Sequence, residues 1–313
     1  MSFSSETKKE LCRIGDAPCC AKAECYGLFL FGRGFSARAV CLNTESAETA
    51  RRAAFLAARC AGVAAEAAVS PCAGRRGAHT VAVRGESRKK KLLSFFGYTG
   101  TEISLRLNLG NLENECCRGA FLRGAFLSCG TVTDPRRDYR LEFVVPYRNL
   151  ARDLSAFLQG VFELSLRPGL LSRKGMFVVY LKGSEHVADL LTFLGAGNAA
   201  MRLMQVRMLK EVRNNVNRKT NFETANIEKT ASAAAGQRLA LERIFTSGGL
   251  SALPEELREL ARLRYRNPEL SLRELGQMLS PPLTRSGVNH RLRRIEEIAA
   301  GLTPRRSGKS GGP

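Results

Sequence analysis

The segments CYGLFLFGRG (Cys25–Gly34) and FLRGAFLSCG (Phe121–Gly130) decide how the rest of this chain is interpreted. Each surrounds a central glycine with large apolar residues. The first belongs to an apolar stretch over 21–31 that packs tightly around its glycine. The second lies within 115–129, whose pattern predicts a helix with a face of small residues. The sequence therefore contains two similar apolar segments, each centred on a glycine.

The same order of predicted elements follows each segment. After the first, we expect a strand, a helix, two strands and a helix, at 35–42, 46–61, 63–70, 78–83 and 86–97. After the second, we expect a strand, a helix, a strand pair and a helix, at 139–145, 149–159, 162–166, 176–181 and 185–194. The clearest strand, 139–145, alternates apolar and polar residues. Two units offset by about a hundred residues indicate an internal duplication.

The last third of the chain has a different composition. Residues 201–235 are crowded with Asn, Arg, Lys and Thr, and Gly248-Gly249 makes a break. Three short helical patterns follow, over 254–265, after the capping box Ser271-Leu-Arg-Glu274, and from Thr284 onward. The short Ser-Pro-Pro-Leu connection between the second and third patterns is typical of a helix-turn-helix, whose second helix enters the major groove. The basic Gly/Ser-rich tail over 302–313 is expected to be disordered.

The third helical pattern carries the candidate DNA-reading residues. A step of about 100° per residue places Val288, Leu292 and Ile295 on one apolar side. The polar residues on the remaining faces are Arg285, Ser286, Asn289, His290, Arg293 and Arg294. Asn side chains pair with adenine edges and Arg side chains pair with guanine or phosphate, so this set suits base readout. The alternative interpretation is a small helical bundle with a solvated basic face.

The polar stretch before the break is a second candidate contact surface. Its candidate residues are Arg213, Asn215, Arg218 and Lys219. These residue types suit contacts with phosphate or sugar. The apolar residues Val212, Val216 and Ile227 are too few for a core helix. The alternative interpretation is a solvated linker that contacts no nucleic acid.

The charge balance indicates the class of partner. Lys+Arg 49 against Asp+Glu 29 gives a formal net charge of +20, which is typical of proteins that meet phosphate in nucleic acid or on an anionic membrane. From Arg202 onward, 21 basic residues stand against 11 acidic ones. No run of about 18 apolar residues occurs, so we expect no membrane span, and the charged segment 1–14 is not a secretory signal. We therefore expect a cytoplasmic, nucleoid-associated protein.

The sequence offers little for metal, cofactor or catalytic chemistry. The ten cysteines are expected to be reduced thiols that serve as small buried hydrophobes. Cys19-Cys20 and Cys116-Cys117 are adjacent pairs without C-x2-C knuckles, so their spacing argues against zinc. The stretch Gly32-Arg-Gly34-Phe-Ser-Ala37 only mimics a dinucleotide fingerprint, because a strand-like segment follows it. Since the three histidines are scattered, we expect no metal, no cofactor and no catalytic residue.

The two opening segments resemble degenerate copies of the LAGLIDADG motif of homing endonucleases. In that family the two motifs are helices that pack across a pseudo-two-fold axis through small residues, and a saddle of strands holds DNA. Gly27 and Gly124 match the glycine of closest contact, and the resemblance covers roughly residues 20–197. The family's metal-binding acid falls at Gly32 in the first copy and at Cys129 in the second. Because hard divalent metals need oxygen ligands, the resemblance implies a retained scaffold and a lost nuclease activity.

The chain as a whole resembles the WhiA family of bacterial sporulation and cell-division regulators. The resemblance rests on the duplicated domain, on VRNNVNRKTNFETANIEKTASAA (212–234) and on ELSLRELGQMLSPPLTRSGVNHRLRRI (269–295). It implies a transcription factor that acts at promoters through its C-terminal helix-turn-helix, in cell division, chromosome segregation or sporulation. The implied partners are double-stranded promoter DNA and, as a further candidate, another transcription factor or RNA polymerase.

We therefore predict a non-enzymatic α+β protein, with a duplicated LAGLIDADG-like domain followed by an all-α helix-turn-helix domain. The expected domains are a lead-in over 1–19, the duplicated domain over 20–198, a polar helical linker over 199–249, the helix-turn-helix over 250–301 and the tail over 302–313. The alternative function is an active metal-dependent homing-type endonuclease, which the missing acids oppose. An RNA-binding factor would need exposed aromatic residues for base stacking, and this chain has no Trp and only 7% aromatic residues.

Overall fold

The computed structural model describes residues 2–15, 17–70, 78–161 and 165–302, and the chain divides into two compact units, Met1–Val212 and Arg213–Pro313. The first half of the first unit consists of α1 (Phe3–Leu11), α2 (Pro18–Leu30), β1 (Gly34–Phe35), β2 (Val40–Thr44), α3 (Ala47–Ala61), β3 (Glu66–Ser70), β4 (Ala78–Ala82) and α4 (Glu86–Phe95). Its second half consists of α5 (Glu115–Cys129), β5 (Gly130–Val132), β6 (Arg140–Val145), α6 (Arg148–Gln159), β7 (Gly169–Arg173), β8 (Met176–Lys182) and α7 (Ser184–Leu194).

Each half of the first unit contains a four-stranded antiparallel sheet. The strand orders, β1-β2-β4-β3 and β5-β6-β8-β7, are equivalent. Strand β6 shows why these strands form: Leu141, Phe143 and Val145 are fully buried, and the residues between them are only half-buried on the other face. The equivalent topology confirms the predicted duplication and the α+β fold class.

Two predicted strands differ in the structure. The single strand expected over 35–42 is a hairpin, because the chain turns after Phe35 and Val40 pairs back with it. The sequence predicts a strand over 162–166, and the strand that pairs with β8 is β7 at Gly169–Arg173, because the turn after Arg173 pairs this residue with Met176 and so sets the register. Residues 162–164 lie outside the described residues, and the two that follow them are not in a strand.

Helices α2 and α5 pack backbone against backbone at their central glycines. A Cβ built on Gly124 would meet the carbonyl oxygen of Glu24 and lie 2.9 Å from the backbone nitrogen of Leu28. A Cβ built on Gly27 would meet the carbonyl oxygen of Phe121 and lie 2.9 Å from the backbone nitrogen of Ala125. The two contacts are reciprocal, so they reproduce the pseudo-symmetry that the sequence predicts. Neither position has room for a side chain.

A buried ionic network lies beside this helix contact. The carboxylate of Glu24, on α2, is fully buried and accepts hydrogen bonds from Arg52 Nε and Nη2 on α3, at 2.9 and 2.8 Å. It also accepts one from Arg123 Nε on α5, at 2.9 Å, and Arg123 Nη1 donates to the carbonyl of Leu194 at 3.1 Å. Burial of a charge is costly unless it is paired and hydrogen-bonded, and this network supplies both conditions.

The described regular elements of the second unit are all helices. Helix α8 (Gly197–Ser247) is 51 residues long and begins within the first unit. It is followed by α9 (Glu255–Arg266), α10 (Leu272–Gln277) and α11 (Arg285–Gly301). The core of this unit includes Leu241, Ile244, Leu257, Leu260, Leu275, Leu279, Val288, Leu292 and Ile295. Buried Arg264 of α9 donates to the side-chain oxygen of Gln237 of α8 at 2.9 Å, which ties these two helices together. The predicted tail from 303 onward lies outside the described residues.

Among the described residues, no helix has both the length and the apolar character needed to cross a bilayer.

We expect Gly124→Leu to destabilise the first unit, because the added side chain overpacks the contact with α2. Overpacking of this kind costs about 1–3 kcal/mol or more. Thermal unfolding followed by circular dichroism should therefore show a lower Tm. Gly197→Ala is the matched control, since a Cβ at Gly197 meets nothing within 4 Å. A Tm that Gly124→Leu leaves unchanged would contradict the close packing of α2 against α5.

Candidate nucleic-acid interface

Helix α10 begins at the capping box that the sequence predicts. The N–H of Glu274 donates to Ser271 Oγ at 3.3 Å, and the N–H of Ser271 donates to Glu274 Oε2 at 2.8 Å. These bonds satisfy donors that the start of a helix otherwise leaves unpaired. The hydrogen bonds with Ser271 also lower the pKa of Glu274, so its carboxylate stays ionised beside the positive end of the helix.

The connection between α10 and α11 is held by close backbone packing. The N–H of Leu283 donates to the carbonyl of Gly276 at 2.9 Å. A Cβ built on Gly276 would meet the carbonyl oxygen of Leu283 and lie 3.1 Å from Val288 Cγ2. Thr284 then caps α11 by accepting a hydrogen bond from the N–H of Gly287 at 3.2 Å. The two helices therefore form the helix-turn-helix that the sequence predicts.

Helix α11 turns its apolar side into the core and leaves polar residues outside. Val288, Leu292 and Ile295 are buried, as the helical periodicity predicts. Arg285, Ser286 and His290 are exposed, and within the described residues their side chains form no hydrogen bond or ion pair. The beginning of α11 thus presents a guanidinium, a hydroxyl and an imidazole to solvent.

The other predicted DNA-reading residues of α11 have neighbours inside the second unit. Half-buried Asn289 and exposed Arg293 line a cleft whose opposite wall includes Lys229 and Arg243 of α8. Arg294 Nη1 donates to the Glu256 carboxylate of α9 at 2.7 Å, so this guanidinium is already engaged. No local sequence signal marks Arg243 as a neighbour of Asn289 and Arg293, because its proximity to α11 depends on tertiary packing.

The middle of α8 is exposed to solvent. Each of the candidate phosphate-contacting residues Arg213, Asn215, Arg218 and Lys219 is exposed. Val212, Val216 and Ile227 are 62%, 57% and 68% exposed, which confirms that they are not core residues. A continuous helix with free cationic and amide side chains can contact a polyanion along its length.

The first unit lacks carboxylates at the positions of the LAGLIDADG acids. A Cβ on Gly32 would lie 2.5 Å from the carbonyl oxygen of Cys41, so backbone fills the space next to this position. Burial raises the pKa of Cys129 to about 12, so its thiol keeps its proton at neutral pH. Lys8 Nζ donates to the carbonyl of Leu127 at 3.2 Å, which places an amine close to this helix end. A protonated thiol and an amine are poor ligands for a hard divalent metal.

The outer faces of the two sheets, which point away from the helices, differ in charge. On the second sheet, Arg140, Arg173 and exposed Lys182 stand on the same face as a single carboxylate. That carboxylate, Glu142, forms ion pairs with Arg140 and, at 3.7 Å, with Arg173. On the first sheet, the described outer positions are Gly34, Cys41, Asn43, Glu66, Ala68, Ala78, Thr80 and Ala82. None of these is basic, whereas a surface that follows DNA phosphates needs clustered cations.

The two adjacent cysteine pairs meet in the structure, which corrects the sequence analysis. The sulfurs of Cys19, Cys20, Cys116 and Cys117 all lie within 4.8 Å of one another. Spacing along the sequence does not exclude a metal site here, because each pair is only half of a cluster. The packing of α2 against α5 brings the two halves together. Of the four, only Cys117 is buried, so the expectation of small buried hydrophobes does not describe this group.

Known proteins resemble this chain over almost its whole length. The WhiA LAGLIDADG-like domain model matches residues 118–213, and the WhiA C-terminal HTH domain model matches residues 216–299. A protein of Ruminiclostridium cellulolyticum, named probable cell division protein WhiA, is 38% identical over 307 residues, covering 96% of this chain and 97% of its own. A protein of the same name from Alkaliphilus metalliredigens is 36% identical over 312 residues, covering 96% and 98%.

A solved structure gives the same result. The full-length DUF199/WhiA protein from Thermatoga maritima has a TM-score of 0.60 and 27% sequence identity, and the match covers 97% of this chain and 99% of that chain.

We expect Gly276→Val to disrupt the helix-turn-helix, because the side chain would push against the carbonyl of Leu283. The overpacking should cost about 1–3 kcal/mol and weaken DNA binding at temperatures where the first unit stays folded. Limited proteolysis and a DNA band-shift titration measure the two effects. Gly301→Ala is the control, since a Cβ there meets nothing within 4 Å. Unchanged protease resistance in Gly276→Val would show that the turn does not depend on this contact.

Proposed function

This chain belongs to the WhiA family, and on that premise we propose that it is a sequence-specific DNA-binding regulator of transcription in bacterial cell division, chromosome segregation or sporulation. The observation that carries the proposal is the capped helix-turn-helix, whose second helix exposes Arg285, Ser286 and His290 at its beginning. Helices of this kind enter the major groove with their first residues against the base edges.

Base readout is assigned to α11. Arg285 can donate two hydrogen bonds to a guanine, and Ser286 and His290 can bond other base edges. Asn289 and Arg293 lie on the side of α11 that faces the cleft, where they can reach an adjacent base or phosphate. Arg294 contributes less directly, because its ion pair with Glu256 holds α11 against α9.

General affinity for DNA is assigned to α8. Arg213, Arg218 and Lys219 are exposed on this helix, and Asn215 adds an amide. Contacts of these side chains with phosphates position the protein but do not depend on base sequence. The basic excess from Arg202 onward supports this assignment, since neutralised phosphates supply most of the salt-dependent affinity.

The first unit, in this proposal, keeps the LAGLIDADG scaffold without nuclease activity. Gly32 and Cys129 supply no carboxylate for a divalent metal, and Lys8 lies close to the end of α5. The outer face of the first sheet carries no basic residue among its described positions. The unit therefore lacks the metal ligands that cleavage of DNA would need.

A protein partner is a further element of the proposal. The exposed apolar residues of α8, among them Val212, Val216, Phe222 and Ile227, suit contact with another transcription factor or with RNA polymerase. A regulator with these partners works in the cytoplasm, on the nucleoid.

We expect substitutions in α11 and α8 to separate base readout from general affinity. The preferred duplex is first selected from random DNA with the full chain. Arg285→Ala and Arg293→Ala should then cost about 1–3 kcal/mol on that duplex and little on a scrambled one. Arg213→Ala and Arg218→Ala should weaken both duplexes alike, and the wild-type affinity should fall with salt at a logarithmic slope of about −5 if five or six phosphates are neutralised.

Competition titrations of each variant with the two duplexes provide the measurement. Arg238→Ala is the matched control, because it removes the same charge from a side chain that is paired with Glu242 on the same helix. Equal losses on both duplexes for the α11 variants would show that this helix does not read bases. A flat salt response would remove the nucleic-acid function altogether.

A cleavage assay distinguishes the proposed regulator from the alternative function, a metal-dependent endonuclease. We expect supercoiled plasmid carrying the preferred site to stay uncut by the full chain with Mg²⁺ or Mn²⁺, because no carboxylates stand at the helix ends. The assay is run at protein concentrations that fully shift the same DNA. Nicking that requires the metal and stops with EDTA would favour the endonuclease.

A further inference from the structure

The cysteine cluster described above, Cys19, Cys20, Cys116 and Cys117, lies outside the residues to which DNA contacts are assigned. Cys19 and Cys20 lie in the first turn of α2, and Cys116 and Cys117 lie in the first turn of α5. Cys117 is buried, Cys19 and Cys20 are half-buried, and Cys116 is exposed. The cluster therefore combines a protected interior with a side that solvent can reach.

The duplication explains why the four thiols converge. Cys19 and Cys20 precede Gly27 by the same spacing at which Cys116 and Cys117 precede Gly124. Because the two glycines pack against each other, the residues at equivalent positions along α2 and α5 must also face each other. Each repeat thus contributes one half of a four-thiol set.

The sulfur positions fit one tetrahedral metal ion. Zinc–thiolate bonds of about 2.3 Å in a tetrahedron place the sulfurs about 3.8 Å apart. Cys19 Sγ and Cys116 Sγ lie 3.9 Å apart, and all four sulfurs lie within 4.8 Å of one another. An iron–sulfur cluster inserts several iron and sulfide ions between its thiolates, so it needs a wider set of sulfurs. A four-thiolate tetrahedron is the typical structural zinc arrangement.

We propose that Cys19, Cys20, Cys116 and Cys117 bind one Zn²⁺ ion, which fastens the beginnings of α2 and α5 together. Binding replaces four S–H bonds with four Zn–S bonds and releases the protons to solvent. Four thiolates and one Zn²⁺ ion sum to a charge of −2, so the site needs positive surroundings. The beginnings of both helices supply them, since helix N-termini carry partial positive charge and unpaired N–H groups.

Backbone N–H groups at the two helix beginnings supply part of this charge balance. Neither Ala17 nor Asn114, the residues before α2 and α5, caps its helix through a side chain, so the N–H groups of Cys19 and Cys116 remain for thiolate sulfurs. Lys22 lies one turn further along α2 and pairs with Glu113 at 2.7 Å, so it joins the two helix beginnings without adding net charge. The zinc position is also distinct from that of the LAGLIDADG metal, which belongs to the opposite ends of the same helices.

Metal content tests the proposal directly. The full chain, purified without chelator or affinity metal, should contain about one zinc ion by inductively coupled plasma mass spectrometry. Cys116→Ser and Cys117→Ser should each lose most of it, whereas Cys41→Ser, outside the cluster, should keep it. Reconstitution of the apo chain with Co²⁺ should give the intense visible absorption of tetrahedral cobalt thiolate. Removal of the zinc should expose four additional reactive thiols and lower the Tm of the first unit.

Other results of these measurements would contradict the zinc site. A wild-type chain without zinc that also fails to take up Zn²⁺ or Co²⁺, with all its thiols free, would overturn the proposal. A mass deficit that matches a disulfide among the four cysteines in freshly purified protein would overturn it as well. Cys116→Ser changes an exposed side chain, so circular dichroism of this variant separates loss of the metal from loss of the fold. Retention of stoichiometric zinc in folded Cys116→Ser and Cys117→Ser would place the ion elsewhere.

Discussion

The backbone contact between α2 and α5 is the constraint on which the first unit depends. Side chains are excluded at Gly27 and Gly124, so each helix lays its backbone on the carbonyl groups of the other. This approach also encloses Glu24, whose carboxylate then needs Arg52 and Arg123 as partners. Removal of one partner from a buried ion pair costs about 3–5 kcal/mol, so the network makes the packing of three helices interdependent. Helix α2 leads into the first sheet and helix α5 into the second, so the pseudo-symmetry of the helix pair extends to the two sheets.

The basic residues of the chain divide into those with internal partners and those exposed to solvent. In the first unit, Arg52 and Arg123 pair with Glu24, and Arg140 and Arg173 pair with Glu142. Other arginines of this unit, such as Arg33, are exposed. Along α8 and at the beginning of α11, the cationic side chains remain exposed. A polyanion gains most from cations that are not already paired, since it then displaces only counterions. The unpaired cations of α8 and of the beginning of α11 are therefore available to a polyanion, whereas the arginines around Glu24 stabilise the packing of α2, α3 and α5.

The sequence predicts the elements whose signals are local. The helix at 115–129 and the capping box at Ser271 follow from composition and spacing within a few residues, and both are present as expected. The sequence does not predict the hairpin that interrupts 35–42 or the position of β7, because strand pairing is set by turns and partners. The cleft beside Asn289 and the proximity of the two cysteine pairs are not predictable from local sequence either. Both depend on helices that are distant in sequence and adjacent in space.

The ends of the helix pair show that the local packing opposes a carboxylate at either position of the LAGLIDADG acids. At the first acid position, a side chain on Gly32 would have to displace the carbonyl of Cys41, to which β1 is paired through Gly34. At the second, a carboxylate in place of Cys129 would enter an environment in which burial already disfavours charge, since it raises the pKa of the thiol to about 12. The neighbouring amine of Lys8 would pair with such a carboxylate and compete with a metal for it. Carboxylates at both positions would therefore require changes in α1, in β2 and at both helix ends together.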